Sequence, residues 1–194
     1  VSSSSISQDK LEVNNIKQLP VILGEVDVLK SAQLLPGIQS GGEGNSGLYV
    51  RGGGPDQNLI LLDEAVVYNA AHLFGFFSVF NADAIKDINI IKGGMPAEYG
   101  GRLSSVLNVI SREGNSKKTK LKFSTSLLSS QATLEGPSYK GAYIISGRRT
   151  YFDKINEWFI KSESIPPYYF YDLQAHIYSD INETDRISLS HYSG

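Results

Sequence analysis

Residues 83–114 read DAIKDINIIKGGMPAEYGGRLSSVLNVISREG. Ile88 and Ile90 alternate with Asp87 and Asn89, the period of a strand with one face buried. Gly93-Gly94 and Gly100-Gly101 punctuate a loop that also holds Pro96, Glu98, Tyr99 and Arg102. A second strand follows, with Val106, Asn108 and Ile110 on one face and Leu107 and Val109 on the other. Just upstream, Asn81-Ala82-Asp83-Ala84 carries a capping Asn and an early Asp and predicts a short helix start. The unit is strand, glycine loop, strand, with polar residues held in the connection. It is not arranged as a catalytic centre.

Working outward, residues 1–18 are polar and Ser-rich and read as a linker. A leader peptide is not expected in VSSSS, which lacks a basic start and an apolar centre. Because the first residue is Val1, upstream sequence is expected to have been removed or never included. Leu19 to Leu23 is extended, and Gly24 starts a helix with Glu25 and Asp27 in its first turn. Val28, Ala32 and Leu35 form its buried stripe, and Pro36-Gly37 stops it. Leu48 to Arg51 is a strand ended by Gly52-Gly53-Gly54-Pro55. Asn58–Leu62 and Ala65–Tyr68 predict a tight hairpin around Asp63-Glu64. Residues 69–80 are aromatic and irregular. The first 114 residues thus predict a small α+β domain with a mixed sheet of four or five strands and short helices.

After Asn115 the segments lengthen. Leu121, Phe123, Thr125 and Leu127 alternate with Lys120, Lys122, Ser124 and Ser126. The phase slips at Leu127-Leu128, which means a tight turn or a bulge. A turn is expected at Gly136-Pro137, and further alternation runs through residues 143–148, 169–178 and 187–189. Ten-residue segments with one apolar, Tyr-rich face are the weak signature of a transmembrane barrel. An ordinary antiparallel sheet alternates in the same way.

The totals exclude several classes. A net charge of −2 over 194 residues gives no electrostatic case for nucleic acid. The absence of cysteine excludes disulfides and thiolate metal sites. No apolar run reaches the length of a membrane helix. Gly42 to Gly47 has the G-x-G-x-x-G spacing of a dinucleotide loop, but a helix precedes it and a strand follows, the reverse of the required order. His72, His176 and His191 are far apart in sequence and have no carboxylate at ligand spacing, so no metal site is expected. There is no G-x-S-x-G elbow, and Asp63-Glu64 reads as a solvated turn, so no enzyme activity and no cofactor are expected. Asn182-Glu183-Thr184 fits a glycosylation sequon, a triplet common by chance.

Leu34-Leu35-Pro36-Gly37-Ile38-Gln39, Leu48-Tyr49-Val50-Arg51-Gly52, Leu59-Ile60-Leu61-Leu62-Asp63, Ile88 to Gly94, and Tyr99-Gly100-Gly101 through Ile110 occur in this order. Together they resemble the plug domain of TonB-dependent outer-membrane receptors. The wording VYNAAHLFGFFSVFNADAIK and GGRLSSVLNVISREGN is most similar to receptors of the Bacteroidetes type. Residues 117–194 resemble the first barrel strands of that family. The resemblance implies a plug at 19–114 and barrel strands at 115–194, an N-terminal piece of a barrel that closes at about 22 strands. It departs where the family commonly carries Asp-Gly and this chain carries Asp63-Glu64, and no TonB box is evident before Leu19.

The resemblance further implies an outer-membrane location and energised uptake of a nutrient such as a glycan, peptide or siderophore. A ligand-sensing module without transport is the alternative. Implied partners are TonB, the rest of the barrel, a surface lipoprotein and a small nutrient ligand. By the family pattern Arg51, Tyr68, Asn69, His72 and Phe74 match positions near ligand, and Arg51, Glu98 and Arg102 match plug positions facing the barrel wall. Short turns at Gly136–Gly141 and Asp180–Asp185 are expected on the periplasmic side, the slip at Leu127-Leu128 as a short outer turn, and the long Tyr151–Pro167 connection outside the cell.

Overall fold

The computed structural model of the chain describes residues 8–16, 26–42, 47–72, 75, 77–160 and 168–194. These fall into two compact units, the first ending at Ser111 and the second running from Arg112 to Gly194.

In chain order the first unit holds β1 (Gln8–Glu12), α1 (Val13–Ile16), α2 (Val28–Ala32), β2 (Ile38–Ser40), β3 (Leu48–Val50), β4 (Asn58–Leu62), β5 (Ala65–Val66), β6 (Ala71–His72), β7 (Phe77–Ser78), β8 (Ile85–Ile91) and β9 (Ser105–Ser111). Its main sheet has the order β1-β8-β9-β4-β5. β8 and β9 pair antiparallel across the glycine loop, while β4 lies parallel to β9, so the sheet is mixed as expected. Ile88 opposes Val109 and Ile90 opposes Leu107, and all four are fully buried. On the opposite face, by the two-residue period, Leu59, Leu61, Ile91 and Val106 form a second cluster under Met95 and Tyr99.

Several local expectations are corrected. Residues 8–12, expected within a linker, form a strand along β8. Asn81 to Ala84 is a capped turn, with Asp83 N–H on the Asn81 side chain and Ala84 N–H on the Asn81 carbonyl, and no helix grows from it. The early helix is one short turn, Val28–Ala32; Asp27 is its N-cap, accepting from Lys30 N–H at 2.9 Å. Leu35 lies in the turn beyond that helix, and Gly37 closes it at φ +80°. The expected segment Leu19–Leu23 and residues 43–46 of the G-x-G-x-x-G match lie outside the described residues.

The second unit is one antiparallel meander of five strands: β10 (Lys120–Thr125), β11 (Ser129–Ser138), β12 (Gly141–Thr150), β13 (Tyr171–Asp180) and β14 (Arg186–Ser193). A short helix α3 (Phe152–Ile155) follows β12. The slip at Leu127-Leu128 is a tight turn, closed by Ser126 N–H on the Ser129 carbonyl at 2.8 Å. The turn expected at Gly136-Pro137 lies later, at Tyr139-Lys140, because both Gly136 and Pro137 remain paired within the ladder. Asn182 is occupied in the β13–β14 turn. Its Oδ1 accepts from Thr184 N–H and Asp185 N–H, and its amide donates to Asp185. The sequon is therefore a turn cap in this fold.

The β4–β5 hairpin is a two-residue turn with both central residues in the left-handed region. Asp63 has φ +46° and Glu64 φ +70°. Asp63 repays its conformation by accepting Ser111 N–H at 2.8 Å, whereas exposed Glu64 carries a left-handed cost of about 1–2 kcal/mol. Glu64→Gly removes that cost but adds about 0.4–1 kcal/mol of unfolded-state entropy. A net gain of roughly 0.5–1 kcal/mol is expected, read as a higher Tm of the purified protein; an unchanged or lower Tm contradicts the strain argument.

Candidate functional site

Arg51 ends β3 in the left-handed region, at φ +49°, and its N–H donates to the Gly37 carbonyl at 3.0 Å. Val50 and Gly53 exchange backbone hydrogen bonds around it, at 2.9 and 3.2 Å, so the turn is closed on itself. Ser104 Oγ donates to the Val50 carbonyl at 2.7 Å, and Ser104 N–H to the Gln57 carbonyl at 3.0 Å. A methyl at Gly53 would overlap Ser104, which is why glycine stands there. Beneath the turn, buried Asn58 donates to the Leu48 carbonyl at 2.6 Å and accepts from Ser105 Oγ at 2.7 Å. The turns carrying Arg51 and Arg102 are thereby tied to one corner, and both side chains are exposed.

The other singled-out residues sit elsewhere in the first unit. Tyr68 is 89% exposed, and Asn69 accepts Ala71 N–H at 3.4 Å in the connection leading to β6. His72 is half-buried in β6, opposite Phe77. Phe74 lies outside the described residues. Glu98 is exposed in the turn closed by Tyr99 N–H on the Pro96 carbonyl, beside a groove of about 430 Å³ that Lys10, Asn89 and Tyr99 also line. Arg51 and Arg102 therefore share a corner, while Tyr68, Asn69 and His72 follow a different connection.

In the second unit the usual burial is inverted. Leu121, Phe123, Ile145, Leu173, Ile177, Ile187 and Leu189 are exposed. Thr133, Glu135, Ser146, Arg148, Asp172 and Gln174, on the alternate positions, are buried. A water-soluble sheet does the reverse; an apolar outer face and a polar inner face are what a membrane-spanning barrel wall requires. On the polar face Arg148 lies directly opposite Asp172 and grips one carboxylate oxygen through Nε at 3.0 Å and Nη2 at 2.5 Å. Tyr192 Oη donates to the other oxygen at 3.0 Å, and the guanidinium covers the Phe170 ring. Arg112 pairs with Glu135 at 2.7 Å, and Thr133 with Ser146 at 2.8 Å. Beyond β12, burial pushes the Asp153 carboxyl up, but the Arg149 hydrogen bond, the Lys154 N–H and both cations outweigh it and hold it below its ordinary value. Trp158, further along the same connection, is exposed.

Sequence reasoning missed Asn58, Ser104, Ser105, Arg148 and Asp172. No local signal marks them: their partners are fixed by strand register, and Arg148 and Asp172 are separated by a long connection.

A family model described as TonB-dependent Receptor Plug Domain matches residues 1–106. The chain belongs to this family. Comparison with curated proteins gives no match. Among solved structures, the chain is similar to the siderophore receptor PirA of Pseudomonas aeruginosa, with a TM-score of 0.64, 16% identity, and coverage of 97% of this chain and 35% of that one. A mutant of the ferric enterobactin receptor PfeA from the same organism gives a TM-score of 0.67 at 18% identity, over 96% and 32%. The FrpB iron transporter of Neisseria meningitidis gives 0.58 at 22%, over 86% and 28%. These likenesses carry the fold, and the TonB-dependent receptor chain described here spans about a third of their length.

The buried ion pair gives a direct test. Asp172→Ala leaves Arg148 as an uncompensated buried charge, an expected loss of about 3–5 kcal/mol. Arg148→Met with Asp172→Leu removes both charges and is expected to recover most of it. Thermal unfolding of the detergent-solubilised full-length receptor reads both; equal losses in the single and double variants would argue against the pairing.

Proposed function

We propose that the chain is the plug and leading barrel wall of an outer-membrane active transporter that gates TonB-energised uptake of a nutrient. The observation that carries this is the pairing of a plug-family fold with a sheet whose apolar face is exposed and whose polar face is buried. Residues 19–114, with β1 on the edge of their sheet, act as plug and 115–194 as the first wall strands. The substrate is a glycan, peptide, siderophore or similar small nutrient; that the similar proteins include a siderophore receptor and an iron transporter favours no one of these at their level of identity. The protein performs no covalent chemistry on its cargo.

In this reading Arg51, Tyr68, Asn69, His72 and Phe74 contribute to the ligand face. Arg51, Glu98 and Arg102 make polar, hydrated contacts with the wall, which suit a plug that must move. TonB engages the N-terminal side by strand addition, the rest of the barrel encloses the plug, and a surface lipoprotein assists capture. Loss of this gene and loss of TonB are expected to give the same growth defect on the limiting nutrient, with Arg51→Ala plus His72→Ala reproducing it at normal protein level. A growth defect from gene loss that persists unchanged in cells with TonB uncoupled would break the reading.

Tyr139 and Tyr143 stand at one end of the outward face, and Tyr169 and Tyr171 at the other. Tyr171 pairs with Arg149, six residues along β12 from Tyr143, a separation of roughly 20 Å. Two aromatic belts at that spacing suit the two membrane interfaces. In this reading the short Tyr139-Lys140 and Ile181–Asp185 turns face the periplasm, where such barrels keep their short turns, and the longer connection with α3 and Trp158 faces outward. A cysteine at exposed Glu157 is expected to react with an impermeant label on intact cells; reaction only after lysis would reverse the orientation.

A further inference from the structure

The hairpin of β6 and β7 has one half-buried strand and one buried strand. Ala71 and His72 of β6 are half-buried. Phe77 and Ser78 of β7, with Val79 and Phe80 after them, are buried. Ala71 opposes Ser78 and His72 opposes Phe77, so whatever places β7 also places His72. At the base of the hairpin Val79 N–H donates to the Ala70 carbonyl at 3.0 Å. Apolar burial of Phe77, Val79 and Phe80 holds the return strand down, but burial is non-directional and fixes no atom in register.

The directional contact comes from Asp27, 51 residues away in sequence. Its Oδ2 accepts Ser78 N–H at 2.7 Å, and its Oδ1 accepts Lys30 N–H at 2.9 Å. Its own carbonyl accepts from Ser31 N–H at 3.1 Å and from Ser31 Oγ at 2.8 Å. Asp27 is thus bound to the first turn of α2, and its second carboxylate oxygen reaches across to β7. A carboxylate on backbone N–H groups makes charge-assisted bonds, stronger than neutral ones. Lys30 of the same turn lies over the Phe77 ring, 5.9 Å from its centroid. The turn itself is seated by Val28, Leu29 and Ala32, all fully buried.

We infer that Asp27 is a positioning residue for the ligand face: its carboxylate ties β7 to α2, and the pairing of β6 with β7 passes that placement on to His72. The inference deepens the transport reading, in which His72 belongs to the ligand face. Capping α2 needs a single side-chain oxygen, which Ser, Thr or Asn would supply as well. The second oxygen sets Asp27 apart from them, because it serves the N–H of a fully buried residue in another element.

Asp27→Ser separates the two roles. Serine caps a helix as well as aspartate does, but its one oxygen is spent on the cap and none is left for Ser78 N–H. Asp27→Ala removes cap and tie together. The readout is the rate at which diethyl pyrocarbonate modifies His72, followed by mass spectrometry on the full-length receptor in outer-membrane vesicles. His176 and His191 of the second unit serve as internal references. Asp27→Ser is expected to speed His72 roughly threefold or more relative to both references, close to the effect of Asp27→Ala. Two outcomes overturn the inference. His72 at the parental rate in Asp27→Ser but faster in Asp27→Ala would leave Asp27 as a helix cap alone, and His72 unchanged in both would leave it no part in placing the hairpin. Growth on the limiting nutrient tells these failures from failure of the transport reading. Faster His72 modification with a higher half-saturating nutrient concentration and an unchanged maximal growth rate supports both. Faster modification with an unchanged growth curve upholds the tie and counts against the ligand face.

Discussion

The antiparallel pairing of β8 with β9 is the contact on which the first unit depends. It buries Ile88, Ile90, Leu107 and Val109 completely, and it places β9 where β4 can join in parallel. Once β4 is fixed, its N-terminal end brings Asn58 to Ser105 and its C-terminal end brings Asp63 to Ser111. Both ends of β9 are therefore tied by side chains of the strand beside it. The Arg51 corner inherits its rigidity from one of these ties through Ser104 and Val50. A surface arginine thus sits on a corner closed by backbone and side-chain hydrogen bonds.

The second unit obeys a different constraint. Hydrocarbon cannot satisfy backbone donors and acceptors, so a membrane-spanning sheet keeps its ladder complete and turns its polar side chains away from lipid. Every adjacent strand pair from β10 to β14 is continuously registered, and the tight turns at Ser126–Leu128 and Tyr139-Lys140 cost little ladder. Having sent its apolar side chains outward, the sheet must stabilise a polar face by pairing within it. Arg148 with Asp172 and Tyr192, Arg112 with Glu135, and Thr133 with Ser146 do this.

What the sequence made legible follows from how far each signal reaches. Two-residue alternation marked β8, β9, β10 and β13, because period and burial are local properties. The β4–β5 hairpin was legible from its length, but not that Glu64 adopts a left-handed backbone there. Gly136-Pro137 misled, because a pair of turn formers can sit in a ladder where the next two residues make the turn. The strand β1 was missed because its polar residues carry no hydrophobic period; only β8, eighty residues away, makes them a strand. At the candidate site Arg51, Glu98 and Arg102 were visible by their glycines. Ser104, Asn58 and the Arg148–Asp172 pair were not, since strand register alone brings their partners together.

Ion pairs recur in both units, and exposure sets how far water screens them. In the Arg148–Asp172 pair both side chains are almost wholly buried, so separating them would strand two charges away from water. In the two pairs of β1 one member is buried and the strand's own member is partly exposed, 55% for Lys10 and 36% for Asp9, so water screens these contacts more than it screens the Arg148–Asp172 pair. Their charges also fix register: a one-residue slip of β1 turns Lys10 to the face of Lys92 and Asp9 to the face of Asp87, so like charges oppose it.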